Sequence, residues 1–126
     1  MRIWTVIFVV AALFNFAVGL PMLLAPEAML AALGQPVPAD LLMTRLASLL
    51  IVVLGIGYGM VARDPAANRP ILWLGVLGKA PIPLVVWISG GAAALSSSAF
   101  ILSLVDLAFA ALFLLYLLGD RRPTVA

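Results

Sequence analysis

The stretch IWTVIFVVAALFNFAVGLPMLL, residues 3–24, decides the fold. It holds no charged residue, and the chain stays uncharged from Ile3 through Pro26. At about 1.5 Å of rise per residue, such a run makes a helix roughly 33 Å long, enough to cross the ~30 Å hydrocarbon core of a bilayer. A secretory signal is the competing reading, with Arg2 as its charged start and Ala17-Val18-Gly19 as a cleavage-like site. The apolar run outlasts the about 7–15 residues of a signal's core, so we read it as a retained first span.

Three more runs of the same kind follow, at residues 41–62, 70–89 and 99–118. Composition agrees with them. Of 126 residues, 66% are hydrophobic and 10% charged, and the mean hydropathy is +1.27. A soluble domain is nearer half apolar and about a quarter charged. A chain this short has too little interior to hide so much apolar surface from water, and disordered chains are polar. The expected architecture is all-α: one integral membrane domain over residues 1–126, a four-transmembrane-helix bundle.

The joints between spans are legible. Pro26-Glu27 opens a short stretch to Leu33 that Gly34, Pro36 and Pro38 end. Proline at the start and glycine past the end mark a short helix, expected to lie at the membrane interface after the first span. Arg63-Asp64-Pro65 and Asn68-Arg69-Pro70 make a tight polar turn. Ser89-Gly90-Gly91 and Ser96 to Ser98 bracket an uncharged loop with room for some helix.

Orientation follows from the arginines. Arg2, Arg63, Arg69, Arg121 and Arg122 all flank one side of the predicted bundle, while the first and third loops hold no Lys or Arg. Cytoplasmic loops carry the excess of basic residues, so both termini are expected in the cytoplasm of a bacterial cell, the chain lying in the inner membrane. The same arginines are expected to anchor membrane lipids through their phosphates.

Several chemistries are excluded by what is missing. There is no Cys and no His. That removes disulfides, thiol redox chemistry, nucleophilic Cys–His or Ser–His catalysis, and Zn or haem sites built on those ligands. The acids Glu27, Asp40, Asp64, Asp106 and Asp120 are dispersed, so no metal site and no cofactor is expected. A net charge of +2 with scattered cations gives no footprint for nucleic acid.

The informative residues are the polar ones inside the spans: Asn15, Arg45, Lys79 and Asp106. Intramembrane ionisable groups cost about 2.5–3.5 kcal/mol each on insertion scales and mark sites by default. Counting helical rise from the outer span ends places Asn15 roughly 13 Å deep, Arg45 roughly 6 Å, Lys79 roughly 15 Å and Asp106 roughly 10 Å. All four fall in the outer half, one from each span. A stripe through Arg45, Ser48, Val52, Gly55, Gly59 and Ala62 runs along the second span at helical spacing. The expectation is a buried cluster with a Lys79–Asp106 ion pair at its core, Arg45 above it and Asn15 beside it. It serves either to register four apolar helices or to receive a ligand. With two cations facing one carboxylate, the surplus positive charge would suit an anionic headgroup or a carbonyl.

Lys79-Ala80-Pro81-Ile82-Pro83 sits mid-way along the third span. Each proline lacks an amide donor and clashes with the carbonyl four residues back, so Pro81 and Pro83 are expected to kink the helix beside Lys79. Gly55 and Gly59 form a G-x-x-x-G pair of the kind that lets helices approach closely, within the bundle or between copies. Trp4, Trp73, Trp87, Tyr58 and Tyr116 are expected to form an interfacial belt. Phe100, Phe109 and Phe113 are expected to serve as core or lipid contacts. The potassium-filter echo in Leu54-Gly55-Ile56-Gly57-Tyr58-Gly59 lacks a pore helix before it.

The pattern Gly19-Leu20-Pro21-Met22-Leu23-Leu24-Ala25-Pro26, Arg45, Gly55-Ile56-Gly57-Tyr58, Asp64-Pro65, Gly78-Lys79, and Asp106 with Phe109, Phe113 and Tyr116-Leu117 spans most of the chain. It resembles the small bacterial four-helix membrane proteins grouped as DoxX-like or as domains of unknown function. The resemblance implies the four-helix architecture, and it hints at a lipid or isoprenoid ligand through quinone-associated redox systems. It transfers no catalytic residue. Three functions are therefore expected in order: binding or transport of a lipid-like or quinone-like molecule at the polar cluster; an accessory subunit of a homo-oligomer or larger membrane complex; and an enzyme using Asp106 and Lys79 as acid and base on an isoprenoid or sterol-like substrate.

Overall fold

Where solvent is absent, a backbone must satisfy its own hydrogen bonds, and the helix does so within one segment. Every long apolar run of this chain takes that solution. The computed structural model describes residues 2–119, with the side chain of Ser96 left aside. Its order is α1 (Arg2–Leu24), α2 (Pro26–Ala32), α3 (Leu42–Arg63), α4 (Arg69–Lys79), α5 (Ile82–Gly90), a 3₁₀ helix (Gly91–Ser96) and α6 (Ser98–Gly119). Four helical stretches are long and apolar enough to cross a membrane: Arg2–Leu24, Leu42–Arg63, Arg69–Leu95 and Ser98–Gly119. These coincide with the runs read from the sequence, except that the third continues through the 3₁₀ helix. Arg121 and Arg122 lie outside the described residues.

The joints are built from local chemistry. Pro26 occupies the first turn of α2, where its missing donor costs nothing. Gly34, at φ 68°, ends it, and the Gln35 amide reaches back to the Leu30 carbonyl at 2.8 Å. In the turn after α3, the Asn68 side chain donates to the carbonyls of Met60 (3.1 Å) and Asp64 (2.8 Å). Asp64 in turn accepts from the Ala67 amide at 3.1 Å. The Leu42 amide, at the start of α3, donates to Asp40 Oδ1 at 2.9 Å.

The third span is divided at Ala80 and Pro81. Both keep right-handed helical dihedrals, Ala80 at φ −60° and ψ −40° and Pro81 at φ −76° and ψ −12°. The Ala80 amide still donates to the Val76 carbonyl, and the Val85 amide to the Pro81 carbonyl, each at 3.0 Å. What stops is the ladder: with proline at 81 and 83, the Leu77 and Lys79 carbonyls lose the amides they would accept from.

Packing is pairwise. α1 lies chiefly on α3, while α4 and α5 lie on α6. The first pair is close. A Cβ added at Gly19 would stand 2.9 Å from Val52 Cγ2, and one at Gly55 would stand 3.1 Å from Asn15 Cβ. The two pairs meet through rings. Trp4, Phe8, Tyr116, Phe113, Tyr58, Phe109 and Phe14 form a connected set with centroid separations of 5.1–6.2 Å. Offset and edge-to-face arrangements at such distances add about 0.5–1.5 kcal/mol per pair beyond burial. The core is concentrated where α1 begins and α6 ends, around Phe8, Tyr58, Val61, Leu72 and Phe113. In contrast, α5 holds no buried residue.

Candidate polar site at the centre of the bundle

Lys79 is the last residue of α4, and its side chain is the meeting point of the bundle. Lys79 is only 5% exposed. It donates to Asp106 Oδ1 of α6 at 2.6 Å and to Asn15 Oδ1 of α1 at 2.9 Å. Asn15, 3% exposed, passes the connection on: its Nδ2 donates to the Ile51 carbonyl of α3 at 3.0 Å. One lysine thus joins all four spans through two side chains. The third helix supplies that carbonyl because Gly55 lets α1 come close.

Three rings close over the same ammonium. Its Nζ lies 5.5 Å from the centroid of Phe14, 5.4 Å from Tyr58 and 5.7 Å from Phe109. A cation over an aromatic face is attracted by the ring quadrupole, by up to about 2 kcal/mol when desolvated. The ammonium thereby exchanges its water shell for two oxygens and three ring faces. Asp106 is less enclosed, with its side chain 16% exposed. It is the edge of the cluster that outside molecules can reach.

The sequence placed Asn15, Lys79 and Asp106 together, and the structure brings them together. Arg45 is not with them: it sits in the first turn of α3 with its side chain exposed. The reason is rotational. The buried positions of α3 are Ser48, Gly55, Tyr58 and Val61, so the buried face keeps Ser48 and Gly55 of the expected stripe but is rotated toward Tyr58 and Val61, away from Arg45 and Gly59. Ser48 closes its own hydrogen bond, donating to the Thr44 carbonyl at 2.6 Å. Gly59 is likewise outward, with nothing within 4 Å of the place a Cβ would take, whereas Gly55 is buried against α1. Without Arg45 the cluster has no surplus positive charge. Its one cation faces one carboxylate.

Several contacts of the structure were not foreseen. Tyr58, assigned above to an interfacial belt, is fully buried. Its hydroxyl has no hydrogen-bond partner among the described residues and lies 2.9 Å from where a Gly75 Cβ would be. Trp4 and Tyr116 also turn into the ring set, while Trp73 and Trp87 face outward. Arg69 does more than mark a side: its Nη2 donates to the Leu117 carbonyl at 2.9 Å, and its guanidinium lies 6.0 Å from the Tyr116 ring centroid. A cation there complements the negative end of α6. The one sequence signal for Phe14 and Phe109 is spacing, since Phe14 adjoins Asn15 and Phe109 follows Asp106 by one turn.

The bundle has two openings, one beside the cluster and one apart from it. An apolar groove of about 420 Å³ runs along α6, lined by Ile101, Leu104, Val105, Ala108, Phe109 and Leu112. Val105 and Phe109 neighbour Asp106 on that helix, and Phe109 also covers Lys79. A second cavity, about 450 Å³, lies between the end of α5 and the start of α6. Comparison with protein-family models, characterised proteins and solved structures found no match to this chain.

Proposed function

We propose that this chain is a bacterial inner-membrane protein, both termini cytoplasmic, that binds or carries a lipid-like or quinone-like molecule along α6. The polar end of the ligand sits at the Asp106–Lys79 pair, and its apolar tail lies in the neighbouring groove. One observation carries the reading. The partly exposed carboxylate of the Lys79–Asp106 ion pair adjoins an apolar groove, and Phe109 belongs to both. Because the pair is charge-balanced, the matching headgroup is neutral: a hydroxyl that donates to Asp106, as a quinol or isoprenoid alcohol does, rather than an anion. In this reading α2 lies in the outer interface, the break at Ala80–Pro81 bends the third span beside Lys79, and the chain is of the DoxX-like type.

The test is native mass spectrometry of protein extracted gently and loaded with a decyl benzoquinol. Asp106→Asn removes the acceptor charge, and Ala108→Trp fills the groove without touching the pair. Each is expected to lower retention at least tenfold. Native-level retention in both variants overturns the reading.

A second reading, a subunit of a homo-oligomer or larger complex, is favoured by Gly59. It is an outward glycine in a spanning helix, with open space where another helix could approach. Loss of a stoichiometric assembly in Gly59→Leu is its expected signature.

A further inference from the structure

The cavity between the end of α5 and the start of α6 is separate from the ion pair and differs from it in chemistry. Its walls include Gln35 from the segment after α2, Val85, Val86 and Ser89 from α5, and Ser97 and Ala99 at the start of α6. At about 450 Å³ it falls within the roughly 300–1,000 Å³ range of ligand pockets. Its shape has identifiable causes. Gly90 lets the 3₁₀ helix fold back on α5, since a Cβ there would stand 2.7 Å from Ala94 Cβ. Ser98 ties the other wall, its hydroxyl donating to the Leu33 carbonyl.

The polar groups of the walls are unequal. Ser97 is already used, donating to the Ala94 carbonyl at 2.7 Å and accepting from the Phe100 amide at 3.2 Å. Gln35 reaches Ser98 Oγ only at a long 3.4 Å. An amide can donate twice and accept twice, so most of its capacity is open to another molecule. Ser89 is exposed on the facing wall. Among the described residues, none that lines the cavity is charged. An ionic headgroup would be stripped of water there with no counter-charge, whereas hydroxyl groups can be matched one by one.

We infer that this cavity is a second binding site, taking the uncharged, hydroxyl-rich headgroup of a lipid, with Gln35 and Ser89 at the headgroup and Val85 and Val86 along the first methylenes of its chain. Val85 and Val86 supply the apolar wall that a free sugar would not need.

The test uses the full chain in phosphatidylglycerol nanodiscs doped with monoglucosyl diacylglycerol, read by native mass spectrometry. The glucolipid is expected to be retained in preference to phosphatidylglycerol and to soluble methyl glucoside. Ala99→Phe, which fills the cavity, and Gln35→Leu, which removes the amide, are each expected to lower retention at least tenfold. Gln35→Leu keeps side-chain volume, and its helical circular dichroism checks folding. Asp106→Asn is expected to leave glucolipid retention unchanged. Equal retention of phosphatidylglycerol, equal binding of methyl glucoside, or native-level retention in Gln35→Leu overturns the site. Loss in Asp106→Asn overturns it too, by moving the headgroup to the ion pair.

Discussion

The two seams of this bundle are built on opposite plans. Between α1 and α3 the backbones approach so closely that a methyl at Gly19 would press on Val52. Between that pair and the α4–α6 pair the space is filled by rings, and Lys79 reaches across it. Lipid tails are as apolar as leucine, so burial alone drives neither seam; close packing and polar contacts must. The first seam uses dispersion between backbones, which is strong but intolerant. The second uses long side chains, which span a gap and can adjust. The buried ion pair belongs to the wider seam because a lysine side chain is long enough to cross it.

The largest test strikes the wide seam. Lys79→Met leaves Asp106 and Asn15 with unmatched polar atoms, and breaking a buried pair from one side costs about 3–5 kcal/mol. Lys79→Met/Asp106→Leu should recover most of that loss, as measured by reversible unfolding in mixed micelles. A double variant as unstable as the single one would mean the pair does more than neutralise itself. The close seam is expected to respond next. Gly19→Ala should cost about 1–3 kcal/mol through overpacking. Gly59→Ala, on an open face, should stay within about 0.5 kcal/mol. Equal effects at Gly19 and Gly59 would erase the distinction between seams. A gain rather than a loss is expected at Tyr58. Its hydroxyl is buried without a partner among the described residues, so Tyr58→Phe should raise stability by about 1 kcal/mol while keeping the ring over Lys79. A loss of that size would show that the hydroxyl finds a partner in the membrane.

Much of this was legible in the sequence, for a physical reason. Apolar runs of spanning length, with at most one charged residue inside, have few alternatives to helix, so the four long elements followed directly. Asn15, Lys79 and Asp106 stood out because each is costly to leave in lipid alone. Arg45 looked the same by composition but lies in the first turn of α3, where a long side chain needs no buried partner. The rotation of α3 that excludes it depends on where Gly19 and Gly55 let α1 dock, which one helix's periodicity does not state. The rings were harder still. A phenylalanine facing lipid and one facing an ammonium are the same residue in the same apolar run, and only the tertiary approach of α1, α3 and α6 separates them. Arg69 against the last turn of α6 is likewise a contact between distant parts of the chain.

The spacing of the Lys79–Asp106 pair along the chain bears on how the bundle is born. The two residues are 27 positions apart. At about 5–20 residues per second, the ribosome delivers the carboxylate roughly 1–5 seconds after the ammonium. Asn15 has by then long been synthesised, and it accepts from the same Nζ. In the interval, the first span offers the third its only early polar partner in this cluster, and the fourth completes the set. Asn15 is thus placed to act during biogenesis as well as in the finished fold, holding a half-made bundle until its last helix arrives.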